Sequence, residues 1–276
     1  MSISHRANRR FGQHFLVNPA IAREISREAG LNSSDTVLEI GPGLGILTEQ
    51  LLERAGQVTA VEIDRTLISP LTEKFSANLR FRLIEGDILA VDIGTLFRDA
   101  SKRIVVVANI PYNITTPIVD LLCANRSIID RAVLMVQREV ADRLLAEPGT
   151  RAFGLTTLNL SLSARGRKVM QVAPGSFRPS PEVTSTVVFL AFSPESRYPL
   201  ADEMLFRNLT GAAFRQRRKM IKNTLVPFIT ALGISGEDAI RALESSGIAP
   251  DVRPETVGTG RFVALANTIS SLLAVT

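Results

Sequence analysis

Residues 37–45 read Val-Leu-Glu-Ile-Gly-Pro-Gly-Leu-Gly, an apolar run that leads directly into a glycine-rich turn. The residues that follow, over 44–54, have helical apolar spacing, so the stretch predicts a strand, a tight turn and a helix. Glycines in such a turn let the backbone approach a ligand closely. A dinucleotide-binding fingerprint would have its last glycine where Ile46 stands, so this is the shorter G-x-G-x-G form, with a purely structural turn as the alternative.

Further strand-length apolar runs alternate with amphipathic stretches along the first half of the chain. Besides residues 36–40, these runs cover residues 58–63, 79–84, 104–108 and 132–136. A helix is predicted over 115–123, with Pro117 in its first turn. Runs at 168–172 and 183–192 predict a closing antiparallel pair, whereas residues 155–164 fit a strand and a helix equally well. Strands alternating with helices predict repeated βα units and a parallel sheet.

The composition changes to Pro, Ser and Arg near residues 193–199, and the patterns that follow are helical only. Helices are predicted over 204–214, 219–232, 236–245 and 261–273, with Gly233 and Gly247 as C-terminal stops. We therefore expect an α/β domain with a Rossmann-like sheet over residues 1–195. A small all-helical domain is expected over residues 196–276.

Polar side chains follow three of the predicted parallel strands, where open α/β sheets bind ligands. Glu62 closes one strand, and its carboxylate can accept both hydroxyl protons of a ribose, although a surface carboxylate is the alternative. Asp87 could accept a hydrogen bond from an adenine amine or cap the next segment. The short glycine motif and the lack of a phosphate-binding Lys motif favour S-adenosylmethionine over a dinucleotide or ATP.

The segment Asn109-Ile110-Pro111-Tyr112 follows the run at 104–108 and predicts a site for a second flat ligand. The Asn109 side-chain oxygen and the Ile110 carbonyl can accept the two protons of an exocyclic amine. Pro111 stiffens the backbone, and the ring of Tyr112 offers a face on which a base can stack. These four residues are the predicted catalytic segment, acting on a nucleobase that carries an amino group.

Charge and composition indicate a globular protein that can bind an anionic partner. The 276 residues are 45% hydrophobic and 21% charged, which makes disorder unlikely, and the formal charge is +5. One basic cluster lies at Arg6, Arg9 and Arg10, and another lies between residues 206 and 222. Such clusters are typical of proteins that bind a phosphate backbone, and a solvated basic helix face is the alternative interpretation. The predicted RNA-binding residues are Arg215, Arg217, Arg218, Lys219 and Lys222.

Other features narrow the class of protein and its surroundings. Cys123 is the single cysteine, so neither a disulfide within the chain nor a cysteine-ligated metal site is expected, and a buried apolar role is favoured. No run is long enough to span a membrane, and the basic N-terminus is not followed by an apolar signal segment. We expect a cytoplasmic protein that needs no metal.

The chain resembles the rRNA adenine dimethyltransferases, and in particular their small-subunit branch. The matching segments are residues 10–16, 38–48, 61–64, 86–87, 109–117, 137–140, 177–185 and 214–223. The resemblance implies S-adenosylmethionine-dependent dimethylation of the amino groups of two adjacent adenosines. The resemblance places these adenosines in the 3′-terminal hairpin loop of small-subunit rRNA, within the ribosomal subunit or its precursor. It also implies a role in ribosome biogenesis. We expect the protein to be monomeric.

The resemblance also implies roles for single residues. The cofactor-binding set is His14, Leu16, Gly41, Gly43, Glu62, Asp87 and Asn109. Many members of the family have Asn at the position of His14, so a backbone contact is expected there. Tyr112 would stack on one face of a flipped adenine and Phe177 could close on the other face, with loop anchoring in the core as the alternative role of Phe177.

Three other functions compete with this one. A large-subunit rRNA adenine methyltransferase of the macrolide-resistance type shares the catalytic segment, but the residues at 214–223 and 247–255 favour the small-subunit branch. A non-catalytic RNA-binding assembly factor could keep the fold, although the intact segment 109–112 and Glu62 argue against lost activity. A nicotinamide-dependent dehydrogenase is weakened by Ile46.

Overall fold

The computed structural model describes residues 13–275, and this part of the chain folds into two units. One unit contains the described chain up to Ala141 together with residues 164–195. The other contains residues 142–163 and the chain from Ser196 onward. The single division expected after residue 195 therefore needs a correction, because Phe153, Leu158 and Leu162 are buried in the apolar cluster of the second unit.

The first unit is built around strands and their connecting helices. Its strands are β1 (Phe15–Leu16), β2 (Thr36–Ile40), β3 (Gln57–Glu62), β4 (Phe81–Glu85), β5 (Ile104–Asn109), β6 (Ile129–Gln137), β7 (Ala164–Val172), β8 (Phe177–Arg178) and β9 (Ser185–Phe192). Its helices are α1 (Pro19–Glu28), α2 (Ile46–Leu52), α3 (Arg65–Phe75), α4 (Ile93–Leu96), α5 (Thr115–Ala124) and α6 (Arg138–Leu144), the last of which spans the division after Ala141.

Seven of these strands form one sheet in the order β4-β3-β2-β5-β6-β9-β7. The pairs from β4 to β6 are parallel, and β9 pairs antiparallel with both β6 and β7. The predicted parallel sheet with an antiparallel closing pair is confirmed. The order of the strands reverses between β2 and β5, which creates the crevice at the carboxyl ends of the strands where such sheets bind ligands.

Burial explains why the parallel strands are nearly continuous apolar runs. Val105, Val106 and Val107 in β5 and Val133 in β6 are fully buried, because helices cover both faces of a parallel sheet.

The strand that follows α3, β4, begins at Phe81 and not at residue 79 as predicted. Leu79 is 99% exposed in a turn in which the Asn78 side-chain oxygen accepts a hydrogen bond from the backbone N–H of Arg80.

The second unit is helical. It contains α7 (Leu155–Ser163), α8 (Glu203–Phe214), α9 (Lys222–Thr230), α10 (Gly236–Ser245) and α11 (Thr259–Val275). The ambiguous stretch at 155–164 is thus a helix up to Ser163, with Leu158 and Leu162 buried on one face. Gly233 and Gly247 follow α9 and α10 with φ of +95° and +71°, as expected of helix stops.

The start of α9 differs from the prediction. The helix begins at Lys222 and not at Lys219, because the backbone N–H groups of Ile221 and Lys222 donate to the carbonyls of Val252 and Pro250. These hydrogen bonds hold the backbone before α9 against the segment at 250–252, and residues 215–220 form a turn.

Within residues 13–275, no helix combines the length and the apolar composition needed to cross a membrane.

Candidate active site

The glycine-rich turn after β2 is shaped by positive φ angles and by close neighbours. Gly43 has φ of +57°, and a Cβ there would lie 3.0 Å from the Phe15 ring. Gly45 has φ of +76°, and a Cβ there would lie 2.8 Å from the Phe75 ring, so a larger residue would displace a buried aromatic side chain. Glycine is therefore required at both positions to keep the turn open above the strand ends.

A cavity lies at the carboxyl ends of β2, β3 and β5, next to this turn. It brings together all the residues expected to bind the cofactor and the segment after β5. The lining includes His14, Leu16, Gly41, Gly43, Glu62, Asp87, Asn109, Ile110, Pro111 and Tyr112. Topology explains the convergence, because the ends of neighbouring parallel strands meet at one edge of the sheet.

Glu62 is held rigidly at the end of β3. Its Oε1 accepts a hydrogen bond of 2.9 Å from the N–H of Asp64, and its Oε2 accepts one of 3.1 Å from the N–H of Gly43. Burial raises the pKa of this carboxyl despite these backbone hydrogen bonds. Each oxygen of this rigid carboxyl keeps a further lone pair, so Glu62 can also accept hydrogen bonds from the hydroxyl groups of a ligand.

Asp87 performs the capping role that the sequence left open as an alternative. Its Oδ1 accepts a hydrogen bond of 2.9 Å from the N–H of Leu89, at the start of a short 3-10 turn. The residue is nevertheless exposed and lines the cavity. One carboxylate oxygen can cap the turn while the other accepts from a ligand, so the two roles are compatible.

The Asn109 side chain is oriented by the N-terminal segment. Its Nδ2 donates a hydrogen bond of 3.0 Å to the backbone carbonyl of His14. The amide nitrogen is thereby committed to the protein, and Oδ1 is the end available as an acceptor. The next residue, Ile110, is buried and its N–H donates to the carbonyl of Met135 on β6, so the backbone that carries its own carbonyl is fixed to the sheet.

Tyr112 is anchored at its hydroxyl and packed at its ring. The hydroxyl lies 2.8 Å from Oγ of Ser185, a buried residue at the start of β9. Burial raises the pKa of this phenol, with the Ser185 hydrogen bond acting in the opposite direction. The ring stacks on that of His14 with centroids 5.4 Å apart and planes at 27°. The phenol therefore stays neutral and serves as a flat surface.

Phe177 lies elsewhere than expected for a residue that closes on a base. Its side chain is fully buried in the apolar core of the first unit, and it is not among the residues lining the cavity. Its strand, β8, pairs antiparallel with β1, so that Phe177 lies opposite Leu16. This placement matches the alternative interpretation of Phe177, in which the residue anchors its loop in the core, and the pairing with β1 accounts for it. Closure of Phe177 on a base stays a prediction.

Three residues that line the cavity, and that the sequence analysis did not identify as site residues, contribute polar or apolar groups to it. Gln13 donates from Nε2 to Oδ2 of Asp64 over 2.8 Å, which fastens the N-terminal segment beside Glu62. Ile63 is 44% exposed and adds an apolar wall. Glu39 is buried at the end of β2. An acid inside the apolar run 37–40 was the signal that could have identified Glu39; nothing comparable marked Gln13 or Ile63.

Glu39 is a carboxyl group in an apolar environment. Its Oε2 accepts a hydrogen bond of 2.7 Å from Oγ1 of Thr48, whereas its buried Oε1 has no hydrogen-bond partner within residues 13–275. Burial raises the pKa of this carboxyl to about 8; the Thr48 hydrogen bond and Lys74 lower it, and the nearby Glu62 raises it further. Glu39 is therefore protonated at neutral pH.

The basic segment predicted to bind RNA lies in the second unit, at 215–222, and its members differ in their contacts. Arg217 donates from Nη2 to the carbonyls of Arg151 and Phe153, over 3.0 and 2.6 Å. Its guanidinium also lies over the Phe214 ring. Arg217 is exposed, as are Arg215, Arg218 and Lys219, and Lys222 is partly buried. Arg217 is thus engaged in holding its own unit together.

Three remaining expectations concern the N-terminal arginines, metal binding and Cys123. The basic residues Arg6, Arg9 and Arg10 lie outside the described part of the chain. Within the described part, no group of three or more His, Cys, Asp or Glu side chains could hold a metal ion. Cys123 is buried in α5, as its apolar surroundings predicted.

The amino-acid sequence matches the family described as "Ribosomal RNA adenine dimethylase" over residues 4–269. A protein of Geobacter metallireducens named "Ribosomal RNA small subunit methyltransferase A" is 39% identical over 268 residues, which cover 97% of each chain. A dimethyladenosine transferase from Plasmodium falciparum has a TM-score of 0.80 at 29% identity, covering 91% of this chain and 96% of that one. The 23S rRNA methyltransferase ErmE has a TM-score of 0.71 at 26% identity, covering 93% of this chain and 99% of ErmE.

Proposed function

The chain belongs to the ribosomal RNA adenine dimethylase family, and we propose that it dimethylates the amino groups of two adjacent adenosines in small-subunit rRNA. S-adenosylmethionine would be the methyl donor and the 3′-terminal hairpin loop the target. The observation that carries this proposal is the placement of Asn109, Ile110 and Tyr112 beside Glu62 and Asp87 in one cavity. That cavity offers a nucleoside site and a second, amine-accepting site side by side.

The residues of the cavity fit the cofactor. The Glu62 carboxyl would hold the ribose hydroxyls, and the second carboxylate oxygen of Asp87 would accept from the adenine amine. The turn at Gly43 is a cradle that a Cβ would fill, since it would lie 3.0 Å from Phe15, and the backbone of Gly41 and Gly43 would lie against the methionine part. His14 and Leu16 would contribute the other wall. When bound, the cofactor supplies a methyl group that is already a strong electrophile.

The protein's part in the reaction is to orient a weak nucleophile. The lone pair of an adenine amine is delocalised into the ring, so acceptors that engage its two protons draw the nitrogen toward tetrahedral geometry. Asn109 Oδ1 is available for this because Nδ2 is committed to the His14 carbonyl, and the Ile110 carbonyl is the second acceptor. The nitrogen would gain the methyl group as the methyl–sulfur bond breaks, the bonding pair would stay on sulfur as a neutral thioether, and the nitrogen would release a proton to water. Positioning of this kind needs neither a metal nor a covalent intermediate.

The small-subunit target is favoured over the large-subunit one. The Geobacter metallireducens relative, whose name specifies the small subunit, is 39% identical, whereas ErmE, whose name specifies 23S rRNA, is 26% identical. The further proposals are that a monomer acts in the cytoplasm on rRNA within the ribosomal subunit or its precursor, and thereby takes part in ribosome biogenesis. An exposed basic surface at Arg215, Arg218 and Lys219 would contact the rRNA backbone.

Reverse transcription of treated rRNA tests this function. Two methyl groups on the amine block Watson–Crick pairing, so a reverse transcriptase stops at the product. Small and large ribosomal subunits and their precursors from a strain lacking this enzyme would be incubated with the protein and S-adenosylmethionine, and their rRNA would then be extracted. We expect stops at two adjacent adenosines near the 3′ end of the small-subunit rRNA only. The Asn109→Ala variant should lose at least about tenfold in rate, the loss of roughly 1.4 kcal/mol of transition-state stabilisation.

The same assay identifies the competing functions. Stops on large-subunit rRNA would support the large-subunit alternative. RNA binding without any stop in either rRNA would support an assembly factor and contradict the proposal.

A further inference from the structure

His14 contacts three parts of the candidate base site. Its Nδ1 lies 2.8 Å from the carbonyl oxygen of Pro179, in the loop that follows β8. Its ring stacks on Tyr112. Its backbone carbonyl accepts the hydrogen bond from Asn109 Nδ2. The imidazole ring therefore packs against the base side of the cavity, while its backbone orients the amine-accepting amide.

We propose that the His14 side chain is a positioning residue that immobilises the Tyr112 ring as a one-sided stacking platform for the target base. This inference rests on the proposed function, because the base is the adenine that the function requires. It assigns the imidazole a task separate from cofactor binding, which falls to the His14 backbone.

The geometry supports the platform in two ways. The Tyr112 hydroxyl is held by Ser185 Oγ at 2.8 Å and the ring is packed on His14, so the side chain is fixed both at its tip and on one face. A stacked imidazole covers one face of the phenol ring, and Tyr112 lines the cavity, so the proposed base would stack on the opposite face. With centroids 5.4 Å apart, the two rings already contact each other and leave no room for a base between them, because a single aromatic pair has centroids about 4.5–7 Å apart.

The hydrogen bond to Pro179 determines the orientation of the imidazole. With Nδ1 protonated, the ring donates to the Pro179 carbonyl, which fixes the imidazole in the plane it needs to cover Tyr112. The loop that carries Pro179 is itself anchored, since Phe177 is fully buried and β8 pairs with β1. His14 thus joins the anchored loop to the catalytic segment.

The composition of the chain allows a direct test on the full-length protein. There are two tyrosines and no tryptophan, so in a Tyr198→Phe background Tyr112 is the single tyrosine reporter. Time-resolved fluorescence anisotropy then measures the motion of its ring without RNA or cofactor. His14→Ala should release the ring, whereas His14→Phe, which keeps a stacking ring, should restore slow motion. Leu79→Ala, at an exposed turn, is the control for substitution itself, and circular dichroism checks folding.

Activity measurements complete the test. Relative to the same background, His14→Ala should lower kcat for RNA methylation about two- to tenfold, as the loss of one aromatic stack implies, and His14→Phe should recover most of it. The dissociation constant for S-adenosylmethionine should change less than kcat in both variants, because the cofactor contact of His14 is expected through its backbone.

The outcomes separate this inference from the proposed function. Unchanged Tyr112 motion in His14→Ala would overturn the inference even in an active enzyme. Equal release in the Ala and Phe variants would also overturn it, because stacking would not be what holds the ring. A released ring in a protein whose parent modifies neither rRNA would show that the contact exists and that the proposed function is wrong.

Discussion

Glu39 and Glu62 show how single residues of this cavity are adjusted by burial. Both carboxyls have a raised pKa because burial disfavours the charged form, and each partly offsets this cost with hydrogen bonds, from Thr48 to Glu39 and from backbone amides to Glu62. They differ in what remains unsatisfied. Glu39 has a buried oxygen without a partner within residues 13–275, whereas both oxygens of Glu62 are engaged.

The raised pKa of Glu39 predicts how stability depends on pH. Folding moves this pKa from 4.5 to about 8, so between these values the folded state holds a proton that the unfolded state has lost. The free energy of unfolding therefore falls as pH rises through this window. In Glu39→Gln the fall should be smaller, with a difference on the order of a few kcal/mol accumulating between pH 5 and 8.

Urea denaturation of both proteins across this pH range measures the effect. Glu62 is present in both proteins, so the comparison reports the titration of Glu39 together with its electrostatic coupling to Glu62. The exposed substitution Glu53→Gln is the matched control, and parallel pH profiles for Glu39→Gln and the parent protein would contradict the assignment.

For Glu62 we predict a loss of cofactor binding before any loss of chemistry. Glu62→Gln keeps the size of the side chain but replaces one acceptor oxygen by a donor and removes the charge. Loss of a hydrogen bond to a charged group costs about 1.5–3 kcal/mol, so S-adenosylmethionine should bind roughly ten- to a hundredfold more weakly. Calorimetric titration measures this, and an unchanged dissociation constant would rule out the ribose role.

At the scale of elements, the turn between α8 and α9 shows that basic residues adjacent in sequence make different tertiary contacts. Arg217 is used within its own unit by two backbone carbonyls and the Phe214 ring. Arg218 and Lys219 are exposed, so their charges face solvent. Arg217 is exposed as well, but its Nη2 is occupied by the two carbonyls, so fewer donors are free for an external phosphate than the six basic residues of 206–222 suggest.

We predict that Arg218→Gln with Lys219→Gln weakens binding to small-subunit rRNA and flattens its salt dependence. Each lost phosphate contact should reduce the slope of log affinity against log salt by roughly 0.7–0.9. Affinity measured over a salt series tests this, with S-adenosylmethionine binding expected to stay unchanged. Parallel lines for variant and parent would mean that these residues only keep the turn solvated.

A separate variant, Arg217→Gln, tests whether Arg217 stabilises the fold. It should lower the thermal stability of the protein, because it removes the hydrogen bonds to the carbonyls of Arg151 and Phe153. The cost should be about 0.5–1.5 kcal/mol, since the exposed Arg151 carbonyl can bond to water instead. A salt-slope change without a stability change would reverse the division of roles between Arg217 and its neighbours.

At the scale of the whole molecule, the chain leaves the sheet unit, enters the helical unit, and returns. Residues 142–163 precede the last two strands of the sheet, β7 and β9, yet pack in the apolar cluster of the second unit. Phe153, Leu158 and Leu162 belong to this cluster together with residues such as Phe206 and Phe262. The helical unit is therefore assembled from two separate parts of the sequence.

A fragment ending at residue 195 should consequently be defective even though it contains every strand. It would retain Phe153, Leu158 and Leu162 without the helices that bury them, which exposes about 1.5–3 kcal/mol of apolar burial per side chain. We expect such a fragment to bind the dye ANS and to aggregate. The matched control replaces residues 142–163 by a flexible glycine-serine linker in the same fragment, and equal dye binding by both fragments would contradict this interpretation.

The sequence by itself predicted those features of the fold and the cavity whose local pattern has a single physical cause. The apolar runs of β2 to β6 identified the parallel sheet, because a strand covered on both faces must be apolar throughout. The glycines of 41–45 and the residues Glu62, Asp87 and 109–112 marked the cavity, since each follows a strand end and neighbouring parallel strand ends share one edge of a sheet. The family resemblance came from the same local segments.

Only the tertiary structure decided features that depend on residues distant in sequence. The inward turn of Phe177 comes from the pairing of β8 with β1, and the stack of His14 on Tyr112 joins residues 98 positions apart (112 − 14). The helical state of 155–163 and the engagement of Arg217 likewise follow from contacts with distant segments. Local pattern determines which surfaces a segment must bury, whereas the partner that buries them is set by the packing of the whole chain, and no local pattern encodes that choice.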